Sequence, residues 1–165
     1  MFFKRDLNDE LLTAVYTENL DKVIKLLKKG ADANWLDEDK RSILMSAVLA
    51  EKWNTEILRQ LILNRADVRY AEPRQHWTAL HFAARDGRPE IVKLLLENGA
   101  EVDAQDCFGD TPLWRAVVNF RGDNKTIHVL LSFGADKNIP NKSGVTPLSL
   151  TETIAYPGIR DVFEI

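Results

Sequence analysis

The side chains able to carry proton-transfer, nucleophilic or metal chemistry are few and scattered. Histidines stand at His76, His81 and His128, and the one cysteine is Cys107. A thiolate nucleophile needs a cationic neighbour or a helix N-terminus to lower its pKa. No basic residue lies close to Cys107 in the sequence. Zinc sites draw on cysteines and histidines at short fixed spacings, and no such cluster is present. Nor is there a Walker-type or dinucleotide-type glycine pattern that could hold phosphate. Asp37, Glu38 and Asp39 adjoin, but a run of like charges is most often a solvated face. The expectation is therefore no catalytic residue, no metal ligand, no cofactor and no enzyme.

What the sequence specifies strongly is a recurring unit. The stretch 77–100, WTALHFAARDGRPEIVKLLLENGA, closes on Gly99-Ala100. Comparable endings lie at Gly30-Ala31-Asp32, Arg65-Ala66-Asp67 and Gly134-Ala135-Asp136. From Gly30 through Arg65 and Gly99 to Gly134 the steps are 35, 34 and 35 residues. A second marker follows each ending in step: Ser42-Ile43-Leu44, Thr78-Ala79-Leu80, Thr111-Pro112-Leu113 and Thr146-Pro147-Leu148. Internal self-similarity at such a period signals a repeat architecture. Extra residues fall near 50–56, near 119–124 and within 68–77, which marks those segments as loops.

The stretch 77–104 resembles the signature of the ankyrin repeat family, T-P-L-H-x-A-A followed by E-I-V-x-L-L-L-x-x-G-A-D-V-N. The resemblance is most specific over 77–104, good over 111–138 and looser over 9–34 and 42–68. Residues 146–165 resemble the opening of a fifth repeat, with Pro157 and Ile159 placed as Pro89 and Ile91 are. The fold this implies is an all-α ankyrin-repeat solenoid of stacked helix-turn-helix pairs with projecting hairpin fingers. It would form a single domain over 1–165, with repeats at 8–40, 41–76, 77–109 and 110–144 and a truncated C-terminal cap at 145–165. In such a repeat His81 is a structural histidine that bonds backbone between repeats.

Elementary propensities agree. Thr78 and Thr111 suit helix N-caps, and Pro112 and Pro147 follow at the first helical position, where a missing N–H costs nothing. Leu80, Ala83 and Ala84 form the buried side of a short first helix. Ile91, Val92, Leu94, Leu95 and Leu96 form the broad apolar face of a second. Gly99 is the left-handed stop. Arg65 replaces that glycine, so either the turn differs or a strain of roughly 1 kcal/mol is carried. One helix pair cannot bury its own apolar face, so stability resides in the stack.

The chain has 165 residues, 45% hydrophobic and 28% charged, with a net charge of −3. That balance supplies no basic field for nucleic acid or anionic lipid. One cysteine permits no intrachain disulfide, which fits a reducing compartment. MFFKRDLNDE lacks the apolar core of a secretory signal, and no run approaches the roughly 20 apolar residues of a membrane span. A cytoplasmic protein, monomeric when free, is expected, binding neither nucleic acid nor membrane.

Repeat proteins bind through the surface their stacking creates, and the residues that vary between repeats mark it. Finger one offers Trp35, Glu38, Asp39 and Arg41. Finger two offers Tyr70, Arg74, His76 and Trp77, and finger three offers Gln105, Phe108 and Asp110. The first helices add Arg85, Asp86, Trp114 and Asn119. Tryptophan, tyrosine and arginine are enriched at interface hot spots. The rings of Trp35 and Trp77 either face a partner or pack between fingers, Trp114 is part core and part surface, and His76 either touches a partner or is solvated. Trp53 belongs to the opposite edge.

The function these readings imply is a non-catalytic protein–protein interaction module. Freestanding ankyrin proteins resembling this one include inhibitors and immunity proteins that neutralise a cognate toxin. The acidic first finger suits a basic toxin or enzyme. The alternative is an adaptor or the regulatory subunit of an enzyme complex.

Overall fold

A computed structural model describes residues 6–154 and 158–163. The chain divides into two compact units, Met1–Tyr70 and Ala71–Ile165.

The first unit holds two helix pairs. Helices α1 (Leu7–Tyr16) and α2 (Leu20–Lys28) form one, and α3 (Ile43–Leu49) and α4 (Thr55–Leu63) the other. Each start is written by an oxygen-bearing side chain. Asp6, Asn19, Ser42 and Asn54 accept the N–H of Asn8, Lys22, Met45 and Glu56 respectively, which satisfies a donor the helix itself cannot reach. Helix α1 packs on α2 and α3, and α4 packs on α2 and α3. The seam contains Leu11, Ile43, Leu44, Met45, Ile57, Leu58 and Leu61, all fully buried. Burying each such side chain contributes about 1.5–3 kcal/mol.

The second unit repeats the plan with α5 (Ala79–Arg85), α6 (Pro89–Glu97), α7 (Pro112–Val118), α8 (Lys125–Ser132) and α9 (Pro147–Thr153). Thr78, Thr111 and Thr146 are N-caps, and Pro112 and Pro147 open their helices. Helix α5 packs on α6 and α7, α8 packs on α6 and α7, and α9 packs on α7. Ile91, Val92, Leu94, Leu95 and Leu96 are all buried, as their spacing predicts. Helix α5 is buried more completely than its alanines suggest: Ala79, His81 and Phe82 join Leu80, Ala83 and Ala84 in the interior.

Both units are therefore all-α, built from stacked helix pairs. The fingers between pairs hold no extended strand among the described residues, only the isolated bridges Leu36–Ser42 and Ala71–Thr78 at two finger bases. Added residues sit where the sequence places them. The α5–α6 connection runs over 86–88, whereas its counterparts run over 50–54 and 119–124. Arg65 keeps the left-handed turn, with φ 66° against 87° at Gly99.

One expectation needs correction. The fifth repeat has its first helix, α9, but residues Arg160–Phe163 form a single 3-10 turn where a second helix was expected. Ile159 is buried as Ile91 is, and Pro157 lies outside the described residues.

Candidate partner-binding surface

Each finger is a tight loop whose own N–H groups need acceptors, because a loop has no helical ladder to satisfy them. One side chain per finger supplies the oxygens. Asp37 accepts from the Arg41 N–H at 2.8 Å. Glu72 accepts from the N–H groups of Arg74, Gln75 and Trp77 at 2.7, 2.8 and 3.2 Å. Asp106 accepts from Phe108 and Asp110 at 2.8 and 3.0 Å, and Asn141 from Ser143 and Val145 at 2.9 and 3.0 Å. These four positions recur every 35, 34 and 35 residues. Asp37 thus departs from its expected place on a solvated face: it is half-buried and closes its finger.

In the first unit the finger carries Glu38 and Asp39, both exposed, and Arg41, half-buried with its guanidinium 3.6 Å from Asp39. The half-buried Trp35 lines a groove of about 490 Å³ with Asp9, Leu12, Glu38 and Asp39. Lys40 turns the tip with φ 62°. Tyr70 was expected to offer its ring to a partner. It is half-buried instead, and its hydroxyl donates to the Lys40 carbonyl at 2.8 Å, tying down that tip.

In the second unit the finger of 71–78 exposes Arg74 and His76. The next finger locks onto it through the Cys107 N–H, which donates to the Gln75 carbonyl at 2.8 Å. The fourth finger locks in turn through the Lys142 N–H, which donates to the Phe108 carbonyl at 2.9 Å. Gly109, with φ 78°, lets the backbones approach, since a Cβ there would lie 3.0 Å from the Lys142 nitrogen. Phe108, anchored on both sides, leaves 54% of its surface in water. Gln105 is exposed and donates to the Gly109 carbonyl at 3.0 Å.

Two candidate surface residues lie inside: Trp77, for which packing between fingers is the alternative that holds, and Asp110, expected to face a partner. Trp77 is only 7% exposed. Its ring packs 4.9 Å from Phe82 and stacks 6.0 Å from His81, because Glu72 pulls the backbone at 77 into the finger base. Asp110 is also buried. Its carboxylate meets Arg115 at 3.0 Å and accepts from Asn141 at 2.8 Å. Burial pushes the Asp110 carboxyl above the ordinary range, while Asn141 and Arg115 pull it back. Both side chains build the scaffold of this surface.

Around them the first helices converge. Arg85 lies 5.4 Å over the Trp77 ring and pairs with the exposed Asp86 at 2.6 Å. Trp114 and Asn119 are half-buried, and the Asn119 amide donates to the Arg115 carbonyl at 2.9 Å. Arg85, Asp86 and Asn119 meet at a cleft of about 290 Å³. The residues that organise the region are Arg115, Asp106 and Glu72. None of the three is among the surface positions that the variation between repeats marks. The signal for the two acids was an acidic or amide residue recurring at the repeat period.

The one buried histidine is committed to the scaffold. His81 is fully buried, with Nδ1 accepting the Thr78 N–H at 3.1 Å and Nε2 facing the Asp110 carbonyl at 3.1 Å. Burial lowers its pKa to about 4, with the Asp110 carbonyl and the Asp106 charge opposing. A neutral imidazole with both nitrogens committed joins one repeat to the next. Among the described residues no group of three or more His, Cys, Asp or Glu could hold a metal ion. No described helix is long and apolar enough to cross a membrane.

Helix pairs joined by fingers, with a histidine bonding one repeat to the next, define a class of repeat protein. The family description for ankyrin repeats in three copies matches residues 11–106, and that for a single ankyrin repeat matches 108–142. The chain belongs to the ankyrin-repeat family. It is 33% identical over 153 residues to ankyrin repeat protein FPV031 of Fowlpox virus (strain NVSL), covering 90% of this chain and 44% of that one. It is 36% identical over 141 residues to human Inversin, covering 84% of this chain and 13% of Inversin. An ankyrin repeat protein of Rickettsia bellii (strain RML369-C) is 38% identical over 81 residues, covering 47% and 34%. The chain thus spans less than half the length of each of these relatives. Ankyrin repeats are in general protein–protein interaction modules.

Proposed function

We propose that the chain is a non-catalytic module that binds another protein through its finger tips and the exposed ends of its first helices. The observation that carries this reading is Phe108. A ring left 54% exposed on a tip bonded to fingers on both sides offers apolar area already fixed in place, so little ordering entropy is lost on binding. Gln105 on the same finger, and Arg74 and His76 on the finger bonded to it through the Cys107 N–H, are also exposed. In the first unit Trp35, Glu38 and Asp39 add an acidic aromatic groove, which complements a basic protein surface.

The specific form of this reading is an inhibitor or immunity protein that occupies a basic toxin or enzyme in the cytoplasm, itself monomeric when free. Its rival is an adaptor or regulatory subunit that holds two proteins together. Tagged wild-type chain and the Phe108→Ala variant, used in parallel to capture proteins from native cells, test the module. A partner that is retained by the wild type and lost with the variant, and rebinds when purified, supports it. A partner held equally by both removes the role of this surface. Mixing with the purified partner then separates the two forms. One-to-one complexes that silence the partner favour inhibition, and ternary complexes favour the adaptor.

A further inference from the structure

The second unit shows what a finger acid can hold besides its own loop. Asp106 Oδ1 accepts the N–H groups of Phe108 and Asp110 and so closes the finger. Its Oδ2 accepts from the Arg115 guanidinium, which also meets Asp110 at 3.0 Å. That guanidinium lies 4.6 Å from the centre of the Trp77 ring, and Arg85 lies 5.4 Å over the same ring. Carboxylates at the edge of a flat cation, with an aromatic ring on its face, are the arrangement that suits arginine.

The first unit has the carboxylate and the ring without the buried cation. Asp37 stands at the repeat position of Asp106, and its Oδ1 likewise closes the finger by accepting the Arg41 N–H. Asp37 also lines the groove of about 490 Å³, whose apolar wall is Leu12, Trp35 and Leu36. The repeat position of Arg115 holds Ser46, which is fully buried and carries no charge. The charges at the groove do not cancel. Asp39 is met by Arg41 at 3.6 Å. Against the other three lining carboxylates, Asp9, Asp37 and Glu38, stands one lining cation, Lys40, so two negative charges remain. We infer that this groove takes one arginine side chain from a partner protein, with Asp37 in the part of Asp106 and Trp35 in the part of Trp77. Asp9 and Glu38 add attraction at the rim. A lysine would meet the charge but not the flat fork. The inference rests on the reading of the chain as a protein-binding module and names the anchor that its first unit receives.

The test is a titration of the full-length, nitrogen-15-labelled chain with N-acetylarginine amide, and in parallel with N-acetylcitrulline amide, which keeps the shape and loses the charge. The readout is the indole N–H resonances. The arginine probe is expected to move the Trp35 signal saturably. It should bind about fivefold or more tightly than the citrulline probe, the gap between a charge-assisted and a neutral hydrogen bond. The indole of Trp53, in the same unit but outside the groove, follows neither. Asp37→Asn weakens binding of the arginine probe and leaves the citrulline response as it was. If that variant does not fold, Glu38→Gln, on the exposed rim, takes its place. No saturable response to arginine, equal affinity for the two probes, an equal shift at Trp53, or undiminished arginine binding in the folded variant overturns the inference. A response seen only after deletion of residues 2–5 gives the groove to the chain's own Lys4 and Arg5 and overturns it as well. The probe reports on the first unit and Phe108 belongs to the second, so a failure here is told apart from a failure of Phe108 to govern capture of a protein.

Discussion

The two units use the same turns with different residues. In the first, Glu18, Lys40, Trp53 and Arg65 hold left-handed backbone, with φ of 53°, 62°, 32° and 66°. In the second, among the described residues, His76 alone does so without being glycine, with φ 57°. Where the first unit has Arg65 the second has Gly99 and Gly134, and where it has Lys40 the second has Gly109 and Gly144. The geometry of the stack demands these turns whatever residue occupies them. A side chain in that region costs about 1–2 kcal/mol, so the first unit carries strain on the order of 4 kcal/mol that the second largely avoids.

Hydrogen bonds hold the strained residues in place. The Tyr70 hydroxyl donates to the Lys40 carbonyl at 2.8 Å. The Asn34 amide donates to the Arg65 carbonyl at 2.9 Å, and the Lys52 N–H donates to the Glu18 carboxylate at 2.8 Å. Conformations that a local sequence disfavours persist only where the surroundings over-determine them. The comparison therefore predicts that the first unit opens at lower free energy than the second.

The largest effects should come from the cores. Leu58→Ala in α4 and Leu95→Ala in α6 each remove a fully buried side chain and should cost roughly 2–5 kcal/mol. Native-state hydrogen exchange locates the loss, and Leu58→Ala should release the first unit at lower denaturant than Leu95→Ala releases the second. Equal or reversed order would break the comparison.

Acid should act the other way round, because the buried His81 lies in the second unit. His81 has a folded pKa of about 4 against 6.5 when unfolded. Between those values the unfolded chain binds more protons, so stability falls as pH drops through the window and is fully present above it. The loss approaches about 3 kcal/mol at its lower end. Asp110, whose carboxyl burial raises, opposes this at the acidic limit. Exchange at pH 7 and pH 5 should show protection lost mainly in the second unit.

Smaller changes sharpen the strain argument. Tyr70→Phe removes the donor to Lys40 and should destabilise the first unit by about 1 kcal/mol, measured by denaturant melts. Arg65→Gly relieves one strained turn but loosens the unfolded chain, for a net gain of a few tenths to about 1 kcal/mol. A stability loss on Arg65→Gly would show that the side chain, not the backbone, matters there.

Much of the scaffold was legible in the sequence because it is written in residue types with one physical use. Thr78 caps and Pro112 opens a helix wherever they stand, and Leu95 and its neighbours read as a face at helical spacing. The surface was harder. Trp77 and Phe108 are both aromatic residues in finger loops, yet one is buried and the other exposed. What separates them is Glu72, whose carboxylate turns the backbone at Trp77 inward. Asp110 reads as a loop acid until Arg115, on the following helix, is known to reach it. Tertiary pairs of that kind leave no local periodicity, and only the recurrence of Asp37, Glu72, Asp106 and Asn141 hinted at them.

The most direct test of the central claim sets recognition against folding at one residue. The purified partner is titrated into wild-type chain and into Phe108→Ala, and the thermal midpoint of each free chain is recorded. Phe108 is exposed, so its removal should leave stability within about 0.5 kcal/mol while weakening binding about tenfold or more, as for a hot-spot ring. Undiminished affinity, or a collapse of the thermal midpoint, would contradict the account.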